Sequence, residues 1–258
     1  MNPAQIINLQ QEDYYNYKHL DKRSRKRLRK LKQGNNISID LNDIKPITYN
    51  QEVAFNSYYE GKNLLLHGVA GTGKTFISLY LGLKDILHNL DDKEKIIIVR
   101  SVVPTRDMGF LPGNAKEKSK IYESPYYSIC TDLFGRGDAY DVLKNKKIID
   151  FMSTSYVRGL TLNDSIVIVD VCQNLTFHEL DSIITRLGRN SRLIFCGDFR
   201  QTDLWREEEK RGIVNFMKVL RSMSSFDQVE FEKEDIVRST LVKEYILSKL
   251  SNGIYTWK

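Results

Sequence analysis

The sequence predicts an α/β fold, a mainly parallel sheet flanked by helices, carried behind a basic N-terminal extension. Three observations support that expectation. Short Ile- and Val-rich runs alternate with amphipathic segments from about residue 44 onward. The first of those runs leads into a glycine-rich stretch ending in Lys-Thr, residues 68–75 (GVAGTGKT). The net positive charge is concentrated ahead of this region, in residues 18–32.

The apolar runs are residues 63–67 (NLLLH), 95–100 (KIIIVR), 147–152 (KIIDFM), 165–170 (SIVIVD), 192–196 (RLIFC) and 228–231 (QVEF). Several are rich in Ile and Val and only five or six residues long, which fits strands of a parallel sheet buried on both faces. Residues 75–90 place Ile77, Leu79, Leu81, Leu83, Ile86, Leu87 and Leu90 on a broad apolar helical face. Residues 176–187 open with Thr176 and carry Glu179 three positions later, the spacing of a capping box. Residues 212–223 and 239–250 are amphipathic as well. Strand–helix alternation of this kind implies βαβ units with right-handed crossovers. Residues 101–145 carry two Pro-containing turns plus Gly135 and Gly137, and read as an insertion or long functional loop.

At 258 residues the chain is long enough to bury a real core. Hydrophobic residues make up 41% and charged residues 28%, which excludes a largely disordered chain. No apolar run approaches the length of a membrane span, and residues 1–15 lack the basic and apolar regions of a secretory signal. Cys130, Cys172 and Cys196 are far apart and fit buried, reduced thiols better than a disulfide framework or a zinc site. The expectation is a cytoplasmic protein. Residues 18–32 hold nine Lys/Arg against one Asp, leaving 30 Lys/Arg and 32 Asp/Glu for the other 243 residues. Residues 1–40 are therefore set apart as a basic extension from a nearly neutral domain, residues 41–258. Such a block suits a polyanion, through counterion release, or serves as a solvated face or docking arm.

Residues 68–75 match G-x4-G-K-[ST], between a strand and a helix candidate, which is the context that motif requires. Gly68, Gly71 and Gly73 give the backbone conformations closed to residues with a Cβ. Amides of Gly68, Val69, Ala70, Gly71, Thr72 and Gly73, with the helix start behind them, would cradle phosphate oxygens. Lys74 supplies a point charge to β- and γ-phosphates, and Thr75 a hydroxyl ligand for Mg²⁺. Asp170, closing the run SIVIVD, is the matching acid for the Mg²⁺ shell. The next residue is Val171, which cannot accept a proton; unless another residue orients the attacking water, nucleotide and metal would bind while the chemical step is slow.

Three further residues are candidates. Gln201 follows a strand end (FCGD) and would sense the γ-phosphate. Arg238 precedes the last helix and would contact phosphates in cis or reach a neighbouring subunit's nucleotide. Gln51, about 20 residues before the loop, would read an adenine edge. Tyr122, Tyr126 and Tyr127, near Lys116, Lys118 and Lys120, suit base stacking and equally suit ordinary packing.

Taken in order, these segments resemble the PhoH family of P-loop ATPases, related to superfamily-one RNA and DNA helicases. The resemblance spans about residues 44–250. It rests on the stretch from Lys45-Pro46 to Gln51, on GVAGTGKT, on RSVVPTRDMGFLPG (100–113), and on YVRGLTL (156–162). It rests further on DVCQN (170–174) against the family's DEAQN, on GDFRQTDL (197–204) and on DIVR (235–238). The resemblance implies a RecA-like core, ATP with Mg²⁺, catalytic roles for Lys74, Asp170, Gln201 and Arg238, and a ring-shaped homo-oligomer, often hexameric. It implies RNA or single-stranded DNA as partner. The departure is Val171, where the family carries Glu. Two readings follow: an ATP-dependent RNA or single-stranded-DNA helicase or translocase with impaired turnover, and an ATP-gated oligomeric nucleic-acid-binding module with little or no hydrolysis. A small-molecule kinase is disfavoured by the GDxxQTDL match and by the lack of an acceptor lid.

Overall fold

Six short runs become the six strands of one sheet in the computed structural model, which describes residues 40–88, 93–101, 115–199 and 207–254. The strands are β1 (Asn63–Gly68), β2 (Lys95–Arg100), β3 (Ile149–Ser153), β4 (Ser165–Asp170), β5 (Arg192–Gly197) and β6 (Phe226–Phe231). Their order across the sheet is β3-β2-β4-β5-β1-β6, and every pairing is parallel. Every residue of β4 is buried, as the unbroken run SIVIVD requires of a strand covered on both faces. The result is the RecA-like α/β architecture that the sequence predicts.

Because all strands run the same way, their carboxyl ends share one edge. Gly68, Arg100, Ser153, Asp170, Gly197 and Phe231 end there, and ligands of open α/β sheets bind at that edge. β5 lies between β1 and β4, so the glycine-rich loop and Asp170 face each other across one strand.

The described helices are α1 (Tyr49–Tyr59), α2 (Lys74–Leu87), α3 (Ala115–Phe134), α4 (Ala139–Asn145), α5 (Thr154–Val157), α6 (Phe177–Ile184), α7 (Glu207–Arg221) and α8 (Thr240–Ser251). On one face of the sheet, Val167, Val169, Leu193 and Phe195 pack with Leu180 and Ile183 of α6 and Ile213, Phe216 and Leu220 of α7. Each such fully buried side chain contributes on the order of 1.5–3 kcal/mol. α2 approaches the sheet closely at Gly82, where a Cβ would meet Ile96 Cδ1 at 3.1 Å. The predicted capping box of α6 is present: Thr176 Oγ1 accepts from the N–H of Glu179, whose carboxylate accepts from the N–H of Thr176. Tyr58 of α1 donates to Asp85 of α2 at 2.8 Å, and the Arg192 guanidinium stacks 4.3 Å above the Tyr58 ring, tying α1, α2 and β5 together.

One expectation is corrected. Residues 115–134 and 139–145, read from sequence as part of an irregular insertion, are helices α3 and α4. Tyr126, Cys130, Leu133 and Phe134 all point inward at helical spacing. Pro125 sits inside α3 and removes one backbone donor without ending the helix. The rest of that region, 102–114, lies outside the described residues, as does the basic segment 18–32. Among the described residues, no helix is long and apolar enough to cross a membrane.

Candidate nucleotide-binding site

β1 ends at Gly68 and α2 begins at Lys74, so the glycine-rich loop is the whole connection between them. Gly68, Gly71 and Gly73 have φ of +113°, +78° and +86°. At Gly68 the space is as restrictive as the conformation, since a Cβ would lie 2.1 Å from the carbonyl oxygen of Phe231. That carbonyl accepts from the N–H of Val69 at 2.9 Å, so the loop is pinned to the end of β6. Gly73 is the N-cap of α2 and offers no side chain to its first turn. The amides there remain available to an anion, favoured also by the helix dipole.

Lys74 is buried and curls back over the loop. Its Nζ donates to the carbonyls of Gly68 (2.9 Å) and Val69 (2.7 Å) and to Thr72 Oγ1 (3.3 Å). Burial lowers its pKa, and the negative charge of Asp198 is the strongest influence opposing that shift. A phosphate oxygen would exchange with the loop carbonyls and restore the favourable charge partner. Thr72 is fully buried, its hydroxyl donating to the Val69 carbonyl at 3.0 Å. Ala70 is half-buried.

Thr75 Oγ1 donates to Asp170 Oδ1 at 2.8 Å, so the two sequence-predicted metal ligands are in direct contact. The other oxygen, Oδ2, accepts from the hydroxyl of Tyr126 at 2.9 Å. Among the described residues, no group of three or more His, Cys, Asp or Glu converges on a metal-sized site. The hydroxyl–carboxylate pair is instead a sparse, all-oxygen set, which fits Mg²⁺ because that ion keeps most of its water. The positive-φ glycines, the uncapped helix start and this oxygen pair together fit a nucleotide with its magnesium.

Val171 adopts the left-handed conformation (φ 55°, ψ 41°) as the N-cap of a short 3-10 turn, Cys172–Asn174. For a β-branched residue this is a strained choice, costing on the order of 1–3 kcal/mol. The turn places Gln173 Oε1 to accept from the N–H of Asp198 at 3.2 Å, joining the ends of β4 and β5. Cys172 and Cys196 are buried free thiols, and burial raises both pKa values, that of Cys196 to about 12.

Arg238 is exposed but lies along the loop: a Cβ on Gly71 would meet its Cγ at 2.8 Å. The preceding residue, Val237, donates its N–H to the Gly71 carbonyl at 3.0 Å. The DIVR segment is anchored by Asp235, whose Oδ2 accepts from Asn50 Nδ2 (2.7 Å) and the N–H of Glu232 (2.8 Å). Burial pushes the Asp235 pKa up, but hydrogen bonds from Asn50, Thr48 and the backbone outweigh it and hold the carboxyl below its ordinary value.

Gln51 stands behind the loop, buried. Its Nε2 donates to the Thr72 carbonyl at 3.1 Å and its Oε1 accepts from the N–H of Ile47 at 3.0 Å. One N–H and one lone pair of the amide remain for a base edge. Gln201 lies outside the described residues.

The tyrosines offered for base stacking are differently employed. Tyr126 is fully buried, Tyr127 donates to Asp141 at 2.6 Å, and the Tyr122 hydroxyl is buried. The side chains of Lys116, Lys118 and Lys120 are outside the description. Sequence reasoning missed the contacts of Tyr126, Asn50 and Asp235. Helical spacing through Tyr126, Cys130 and Leu133 was the signal available for the first.

The parallel sheet, the glycine loop closing on a helix start, and the acid across one strand define a protein of the P-loop class. Within that class the chain belongs to the PhoH-like protein family, whose match covers residues 43–248. A PhoH-like protein of Bacillus subtilis (strain 168) is 36% identical over 190 residues, covering 72% of this chain and 58% of that one. Protein PhoH of Escherichia coli (strain K12) is 32% identical over 211 residues, covering 78% and 58% respectively. The chain thus spans just over half the length of these curated relatives. Among solved structures, the large terminase of a thermophilic bacteriophage in complex with ADP aligns with a TM-score of 0.48 at 11% identity, over 78% of this chain and 49% of that one.

Proposed function

We propose that this chain binds ATP with Mg²⁺ at the loop 68–75 and is a slow ATPase acting on RNA or single-stranded DNA. The observation that carries the nucleotide reading is the 2.8 Å contact between Thr75 Oγ1 and Asp170 Oδ1, directly beside the positive-φ glycine loop. Loop amides and the α2 start would take the β-phosphate region, with Lys74 between β and γ. Magnesium would sit at Thr75 and Asp170 and supply charge neutralisation of the triphosphate. Arg238, held against Gly71, would reach the same phosphates in cis, and Gln201 completes the set as γ-phosphate sensor. Nucleic acid as partner rests on the basic segment 18–32 and on family membership; a homo-oligomeric, hexameric ring rests on family membership alone, and a cytoplasmic setting on the sparse cysteines Cys130, Cys172 and Cys196.

The second reading is an ATP-gated nucleic-acid-binding module. Val171 favours it, because an apolar side chain stands where the family carries a carboxylate, next to Asp170. Calorimetry with ATP and Mg²⁺ on the full chain and on Lys74→Ala tests the site: heat of binding is expected from the first and none from the second. No heat from the full chain would end both readings. Steady-state turnover with and without single-stranded RNA then separates them, since stimulation supports the ATPase and tight binding without turnover the module. Deleting residues 1–40 is expected to weaken nucleic-acid binding and flatten its salt dependence.

A further inference from the structure

Asp170 meets two hydroxyl donors, one on each oxygen. Thr75 takes Oδ1 at 2.8 Å and Tyr126 takes Oδ2 at 2.9 Å. The Thr75 contact belongs to the P-loop, whereas Tyr126 comes from α3, in the stretch between β2 and β3. Its ring is fully buried, 6.4 Å from the Tyr140 ring in a stacked pair and 6.0 Å from Phe151. Pro125 precedes it, so the helix lacks a backbone donor there. The neighbouring Tyr122 carbonyl accepts from Arg100 Nη1 at 3.4 Å. Arg100 ends β2 and is the register partner of Asp170 at the end of β4. Helix, strand end and carboxylate are therefore one connected set.

From this geometry we infer that Tyr126 is a positioning residue for the magnesium-binding carboxylate. The inference rests on the nucleotide reading above and names a residue that the loop motif does not contain. A carboxylate held from one side only can rotate about its Cβ–Cγ bond. With the Tyr126 hydroxyl on Oδ2, that rotation is blocked and Oδ1 stays turned toward Thr75. Oδ1 would then already face the space beside Thr75, so holding a cation there would need less ordering of the carboxylate. Each oxygen keeps a lone pair for the ion or its water shell. Second-sphere partners of this kind typically set metal affinity within a range of about 10–100-fold.

The test is the magnesium dependence of nucleotide binding by the full chain, read with a fluorescent non-hydrolysable ATP analogue, so that turnover plays no part. In Tyr126→Phe the Mg²⁺ midpoint is expected to rise by about tenfold or more, while analogue affinity in EDTA stays as in the unmodified protein. Tyr140→Phe, which removes the neighbouring hydroxyl bonded to Glu123, is expected to leave the midpoint in place. An unshifted midpoint in Tyr126→Phe overturns the inference, and so does an equal loss of affinity with and without Mg²⁺, the signature of a merely structural role. If Tyr126→Phe does not fold, Tyr126→Met, which also lacks the donor, takes its place under the same criteria. If the unmodified protein binds no analogue at all, the nucleotide reading itself has failed.

Discussion

Val237 donates its backbone N–H to the carbonyl of Gly71 at 3.0 Å, so the turn that presents Arg238 is hydrogen-bonded to the phosphate loop itself. The two segments lie far apart in sequence, yet any shift of one is felt by the other. A Cβ on Gly71 would lie 2.8 Å from Arg238 Cγ and 3.7 Å from its Nε, and the arginine as a whole is exposed.

Arg238→Ala removes that charge. Charge-assisted hydrogen bonds are worth about 1.5–3 kcal/mol, so Mg·ATP affinity is expected to fall by roughly 10–100-fold, measured by calorimetry. Arg238→Lys should recover only part, because a compact ammonium cannot reproduce the guanidinium fork.

Val171→Glu supplies a carboxylate directly after Asp170. If water activation is what the site lacks, steady-state hydrolysis should rise by at least tenfold, given that general-base catalysis contributes about 10²–10⁴. Binding of Mg·ATP should change little. An unaltered rate would mean that another group already orients the water.

The same position offers a stability test that needs no ligand. Val171 is β-branched and left-handed at φ 55°, whereas Asn tolerates that region. Val171→Asn should raise the melting temperature of the free protein by about 2–4 °C, which corresponds to ~1 kcal/mol for a chain of this size.

Asp235 makes stability depend on pH in a definite direction. Its pKa is lowered below the ordinary 3.8, so the folded state holds its proton less tightly than the unfolded state does. The stabilisation is complete above the unfolded value and is lost as pH falls through the folded one. Comparing Asp235→Asn with the unmodified protein by thermal melts from pH 3 to 6, the gap should be widest at pH 6 and shrink below about 3.8.

Much of this was legible in the sequence because the decisive elements are local. Short unbroken apolar runs point to strands buried on both faces, and three glycines before Lys74-Thr75 allow the loop its positive-φ backbone. Thr176 and Glu179 announce the start of α6 from within four residues. What escaped was non-local or sent mixed signals. α1 buries Gln51 and Ser57 beside Phe55 and Tyr58, so it shows no clean apolar stripe. Pro125 and the nearby glycines disguised α3 as a loop, and packing of Tyr126 and Cys130 overrode them. The stitch from Asn50 to Asp235 joins opposite ends of the domain, and neither residue type predicts the other.

The contact between Gly68 and Phe231 bears on the order of assembly. Strand β1 is made early in synthesis and β6 late, yet the loop takes its shape only where the two meet. A nascent chain that has not yet released β6 from the ribosome lacks the wall against which its glycines turn. A chain ending before residue 226 would therefore lack the strand against which Gly68 turns.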